Sequence, residues 1–144
     1  MKAFFALTLA ALCQSAYCLR EGTYFIGSAS KVLTESMQEH GKPLSFEAKE
    51  GQPGQIWSFT PQEGGYFEVQ NNLGGYINCG DSKAGATCYA GERPQSFLPE
   101  YQGGDSYELV EAGSGYFLRI AENGQLMLAE YDGGESERFN LVRA

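Results

Sequence analysis

The chain has 144 residues, of which 42% are hydrophobic and 19% charged, and its formal charge is −8. That length fits one domain, and that balance excludes a disordered chain. The acidic surplus argues against nucleic acid and anionic membranes as partners.

The chain opens on the short basic start Met1-Lys2, followed by the apolar run "AFFALTLAAL" from Ala3 to Leu12, too short to span a bilayer. Ala16-Tyr17-Cys18 then supplies small residues ahead of a cut. The pattern predicts a secretory signal peptide over residues 1–18 and a mature domain over 19–144, hence a secreted, extracellular protein. Losing Lys2 from the ten bases leaves nine against 18 acids, a formal charge of −9 for the mature chain. No second apolar stretch is long enough for a span, so membrane insertion is not expected. No Asn-x-Ser/Thr acceptor occurs.

Short strands follow, separated by turns rich in glycine pairs such as Gly64-Gly65, Gly74-Gly75, Gly103-Gly104 and Gly133-Gly134. Nine Tyr and nine Phe favour strands over helices. The landmarks recur with one period. Trp57, Phe97 and Phe139 are 40 and 42 residues apart, and Tyr24, Tyr66 and Tyr107 are 42 and 41 apart. The first unit runs "TYFIGS", "KVLTES", "LSFEAK", "IWSFTP". The second runs "YFEVQN", "YINCGD", "ATCYAG", "SFLPEY", and the third "YELVEA", "YFLRIA", "QLMLAE", "RFNLVR". Most alternate apolar and polar residues, as half-buried strands do. Twelve strands in three pseudo-repeats, with edges that must be hidden, predict an all-β fold, a β-trefoil. The aromatics after Gln55, Gln95 and Glu137 are expected in the shared core, with the Gln and Glu side chains satisfying nearby backbone groups.

Within the second unit, Cys79 and Cys88 flank "GDSKAGAT". They are the two cysteines left after a cut behind Cys18, and their spacing suits a bridge across a hairpin.

"GQIW", "PQSF" and "SERF" resemble the Gln-x-Trp signature of ricin-B-type trefoil lectins, and "LREGTYFIGSASKVLTES" is similar to the first unit of fungal members of that group. The resemblance covers the whole mature chain. It implies a sugar site in each active unit, with an Asp early in the second strand and an aromatic platform near the end of the third. A carboxylate accepts two hydrogen bonds from vicinal hydroxyls, and a ring face packs on the sugar's C–H patch. Aligned on the anchors, the Asp position falls on Thr34, Asn78 and Arg119, and the platform on Glu47, Thr87 and Ala129. No unit keeps the pair.

The strongest remnant is in unit two: Asn78, Asp81 and Tyr89, with Gln95 behind them. The bland reading makes Asn78 and Asp81 turn formers and Tyr89 a half-buried strand residue. Unit three offers Tyr131 and Asp132, and unit one offers Glu35, Glu39 and His40 in "ESMQEHGKP".

An enzyme is not expected. His40 is the only histidine and sits in a polar loop, so no nucleophile–His pair is framed. No His/Cys cluster suggests a metal, and no cofactor motif occurs. The expected function is non-catalytic binding of glycans by a monomer. The alternative is a secreted trefoil peptidase inhibitor or protein-binding effector, presenting loops such as "SMQEHGKP" or "AGERPQS" to an extracellular protein.

Overall fold

The computed structural model describes residues 18–39 and 41–144; the expected leader up to Tyr17, and His40, lie outside them. Twelve strands run in chain order: β1 (Gly22–Ser28), β2 (Lys31–Thr34), β3 (Ser45–Ala48), β4 (Trp57–Pro61), β5 (Phe67–Asn71), β6 (Tyr76–Asn78), β7 (Tyr89–Gly91), β8 (Ser96–Gly103), β9 (Ser106–Glu111), β10 (Phe117–Ile120), β11 (Leu126–Ala129) and β12 (Phe139–Arg143). The only helical pieces among the described residues are three 3-10 turns of three residues each.

Six strands close a barrel. β1 pairs with β4, β4 with β5, β5 with β8, β8 with β9, β9 with β12, and β12 with β1, all antiparallel. Closure leaves no barrel edge unpaired. The other six strands form three hairpins, β2–β3, β6–β7 and β10–β11, that cap it. This is the expected β-trefoil, with four strands in each of three units.

The pseudo-symmetry reaches single residues. Trp57, Phe97 and Phe139 are at most 1% exposed, and on the neighbouring barrel strand each is in register with Tyr24, Phe67 and Tyr107 respectively. The second unit's landmark is therefore Phe67, one residue beyond the expected Tyr66, because Phe67 carries the inward ring. Leu33, Ile77 and Leu118 share one station in the hairpins and are buried. A ring of three backbone hydrogen bonds joins the hairpins about the axis. Leu44 N donates to the Cys88 carbonyl at 2.9 Å, Cys88 N to Leu126 at 2.9 Å, and Leu126 N to Leu44 at 2.8 Å.

Cys79 and Cys88 are bonded, at an S–S distance of 2.05 Å, one step beyond the Asn78–Tyr89 pair of the β6–β7 hairpin. The disulfide is fully buried and forms part of the core cluster. The apolar network of the trefoil thus passes through a covalent link in unit two, where units one and three use Leu44 and Leu126.

Candidate functional clefts

The anchors beside the core aromatics each fasten a turn. Gln55 Oε1 accepts from Glu50 N at 2.8 Å and Gly51 N at 3.0 Å, and its amide donates to the Ala48 carbonyl at 2.8 Å and to Thr34 Oγ1 at 3.2 Å. Glu137 occupies the same station in unit three and accepts from Asp132 N at 3.1 Å and Gly133 N at 3.2 Å. Its carboxylate is fully buried and is compensated by Arg119 Nη2 at 2.6 Å. The expectation that these side chains satisfy nearby backbone groups is met in both units.

Unit two differs for a reason of chain length. Eight positions separate Glu47 from Gln55 and Ala129 from Glu137, but the strand registers put Gly91 at that station in unit two, only four before Gln95. The platform position of unit two is therefore Gly91, not Thr87, and the turn after β7 is too short to be fastened in the same way. Gln95 turns instead to the segment after β6, accepting from Cys79 N at 2.7 Å and donating to the Gly80 carbonyl at 2.9 Å.

That rearrangement decides the state of the four residues expected to form a sugar site. Asn78 and Tyr89 face each other across the β6–β7 ladder. The Asn78 amide is engaged at both ends, donating to the Arg93 carbonyl at 2.8 Å and accepting from Gly80 N at 2.9 Å. Gln95 is likewise occupied by backbone. Asp81 is exposed, and Tyr89 is 41% exposed. Two of the four thus face solvent, while the other two hold the hairpin together.

Units one and three instead carry clefts at one symmetry-equivalent station. The larger, about 650 Å³, is lined by Thr34, Ser45, Glu47 and Glu50, with Gln52 and Met37 at its rim. Among the described residues the Glu47 and Glu50 carboxylates accept no hydrogen bond and make no ion pair. Thr34 is spent on Gln55 and on its own strand, through the Val32 carbonyl at 2.9 Å. The unit-three cleft, about 410 Å³, is lined by the corresponding Arg119, Met127, Ala129 and Asp132, and by Tyr131. Tyr131 is 60% exposed and leans on Phe117 at 4.8 Å between centroids. Asp132 is held by Arg119 at 2.9 Å and accepts from Gly134 N at 2.7 Å.

The unit-one loop residues have structural partners. Glu35 Oε1 accepts from Asn71 Nδ2 at 2.7 Å, and Glu39 pairs with Lys42 at 2.5 Å. The Ser45, Glu50 and Gln52 contributions were not singled out from sequence. The usable signal was the eight-residue spacing from the end of β3 to the anchor, repeated in unit three and shortened in unit two. Among the described residues no group of three His, Cys, Asp or Glu side chains is arranged to hold a metal. No described helix is long and apolar enough to cross a membrane.

No family profile matches this sequence, and no curated protein sequence does. Solved structures do. The Macrolepiota procera ricin B-like lectin, solved in complex with lactose, superposes with a TM-score of 0.77 at 17% identity, over 88% of this chain and 99% of the lectin. The Rhizoctonia solani agglutinin gives 0.76 at 13% identity, over 90% and 100%. ThreeFoil, a designed 3-fold symmetric protein, gives 0.77 at 19% identity, over 85% and 99%. With its closed barrel, three capping hairpins and repeated anchors, the chain has a β-trefoil fold, similar to that of the Macrolepiota ricin B-like lectin.

Proposed function

We propose that the protein is a secreted, monomeric, non-catalytic glycan-binding module, and that its sugar contacts lie in the clefts of units one and three. The observation that carries this reading is the recurrence of one cleft at symmetry-equivalent stations, with unengaged carboxylates in one copy and a solvent-facing ring in the other. The two chemistries a sugar needs are hydrogen-bond acceptors for vicinal hydroxyls and a ring face for the C–H patch. Glu47 and Glu50 supply the first, and Tyr131 and Asp132 supply both. The lactose bound by the Macrolepiota lectin supports the substrate class. In unit two, Asp81 and Tyr89 remain open to a ligand, with Asn78 and Gln95 supporting their hairpin from behind.

The experiment is a glycan array with protein purified from the culture medium, where N-terminal sequencing should begin at Leu19. Glu47→Ala with Glu50→Ala, and separately Tyr131→Ala, should each weaken binding to the preferred glycan about tenfold, about 1.4 kcal/mol. Asn78→Ala and Asp81→Ala should have smaller effects. An array silent for the folded wild-type protein would remove the glycan reading, and inhibition across a peptidase panel would replace it with the loop-presenting one.

A further inference from the structure

The outer face of the barrel carries a cleft unlike the others. It lies where β12, β1 and β2 run side by side, and its volume is about 240 Å³. Phe25 faces Val142 across the β1–β12 ladder, and Gly27 stands between Asn140 on one side and Val32 on the other. Phe25, Val32 and Val142 are its apolar walls. Lys31 and Lys49 stand at its rim, and no acidic residue lines it. The clefts of units one and three both include carboxylates, as does the one near the chain start, through Asp105.

Two observations point to a ligand. First, Lys31 and Lys49 make no ion pair among the described residues, in a protein with 18 acids and ten bases. Lys49 Nζ sits over the Phe25 ring at 4.2 Å from its centroid, placing a cation directly against an apolar wall. Second, Gly27 lies inside a strand at a negative φ, where any residue fits the backbone. A Cβ there would make only ordinary contacts, at 3.6 Å from the Asn140 and Lys31 carbonyl oxygens. Neither backbone nor packing demands the glycine; what it provides is open space, and strand glycines often mark the close approach of a ligand. Ala29 at the rim adopts φ +53° as the first residue of the two-residue turn that joins β1 to β2.

We propose that this cleft binds a small amphipathic carboxylate, with its apolar body over Gly27 between Phe25, Val32 and Val142, and its anionic head between Lys31 and Lys49. The volume is below the range of about 300–1,000 Å³ typical of drug-sized ligands, so the occupant is small. An apolar floor with two unpaired cations discriminates by charge: it accepts an apolar anion and rejects its cationic analogue. The cleft shares no lining residue with the glycan clefts, although its wall residue Val32 pairs with Glu47 of the unit-one cleft.

The test is an amide chemical-shift titration of the labelled protein with octanoate, 1-octanol and octylammonium. Octanoate should saturate at millimolar concentration and move the amides of Phe25, Gly27, Lys31 and Val142. It should bind at least tenfold more tightly than octanol, and octylammonium should leave these amides unmoved. Lys31→Gln with Lys49→Gln should remove the tenfold preference while preserving the spectrum of the fold. Gly27→Leu should fill the cleft and abolish binding. Octanol matching octanoate, shifts centred elsewhere, or an unchanged preference in the double lysine variant would each overturn the proposal.

Discussion

Arg119 Nη2 does for unit three what the Gln55 side-chain amide does for unit one. It donates to the Glu130 carbonyl at 2.8 Å, and Gln55 Nε2 donates at 2.8 Å to the carbonyl of Ala48, the symmetry mate of Glu130. The same guanidinium neutralises Glu137, whose buried carboxylate stands where Gln55 stands. The substitution of Glu for Gln is thus coupled to the cation opposite it.

A double-mutant cycle follows from that coupling. Arg119→Ala leaves a buried, uncompensated carboxylate and should cost about 3 kcal/mol in urea unfolding. Glu137→Gln in the same chain rebuilds the unit-one pattern, with the new amide donating to Glu130, and should restore at least half of that loss. Strictly additive effects of the two changes would show that the pair is not coupled.

The disulfide closes a loop between residues 79 and 88, a separation of 9. Loop entropy then assigns it about 2.5 kcal/mol. Because both half-cystines are fully buried in the core cluster, opening the bridge also disturbs core packing. Cys79→Ala with Cys88→Ala should lower stability by at least that amount. In the wild type, the thermal midpoint should fall in the presence of a strong reductant and be unmoved by it in the double variant.

Glu108 is 3% exposed, accepts from Gln102 Nε2 at 3.0 Å through one oxygen, and has no partner for the other. Burial first, then the Glu137 carboxylate, raises its pKa above the ordinary 4.5, against the opposing pull of Arg138, and Glu100 adds to the rise. A raised acid pKa means that the folded state holds the proton more tightly than the unfolded chain. Its contribution to stability is therefore full below the ordinary value and is lost as pH climbs through the raised one. Glu108→Gln, which fixes the neutral form, should raise the urea midpoint at pH 7 and leave it nearly unchanged at pH 4. An equal rise at both pH values would show that the carboxyl does not titrate differently in the two states.

Gly54 lies beneath the Glu35 carbonyl, and a Cβ there would run into that oxygen, while Gly54 O accepts from Glu35 N at 2.9 Å. Gly54→Ala should cost about 1–3 kcal/mol by forcing the backbone apart. Gly51→Ala tests a different cause, since its φ of +71° disfavours any side chain although no atom crowds it. It should cost about 1 kcal/mol. The thermal midpoint should drop further for Gly54→Ala.

The fold was legible because it is written three times. One buried aromatic per unit, in register with a second ring on the neighbouring strand, imposes a period that no single strand could reveal. The landmark that slipped, Tyr66 for Phe67, did so because two adjacent rings in "GYFEV" fit the spacing and only the strand register tells which points inward. The candidate site was less legible. Thr87 and Gly91 compete for one station, and the choice depends on where β7 begins, which pairing with β6 determines. Whether an Asn such as Asn78 is free for a ligand is set by the Arg93 carbonyl, fifteen residues away, a contact created by the shortened loop. The Lys31 and Lys49 cleft has no sequence signature, since its walls come from opposite ends of the chain.

The triangle of Leu44, Cys88 and Leu126 makes each unit a donor to one neighbour and an acceptor from the other. Such head-to-tail contacts close after three members and leave nothing dangling. A separate peptide of one unit's length would therefore have every reason to assemble as a homotrimer and little reason to stand alone. The covalent joins between units then confer effective concentration, and they free the three copies to differ: units one and three have a long turn, unit two a short one, and unit three has an ion pair where unit one has an amide.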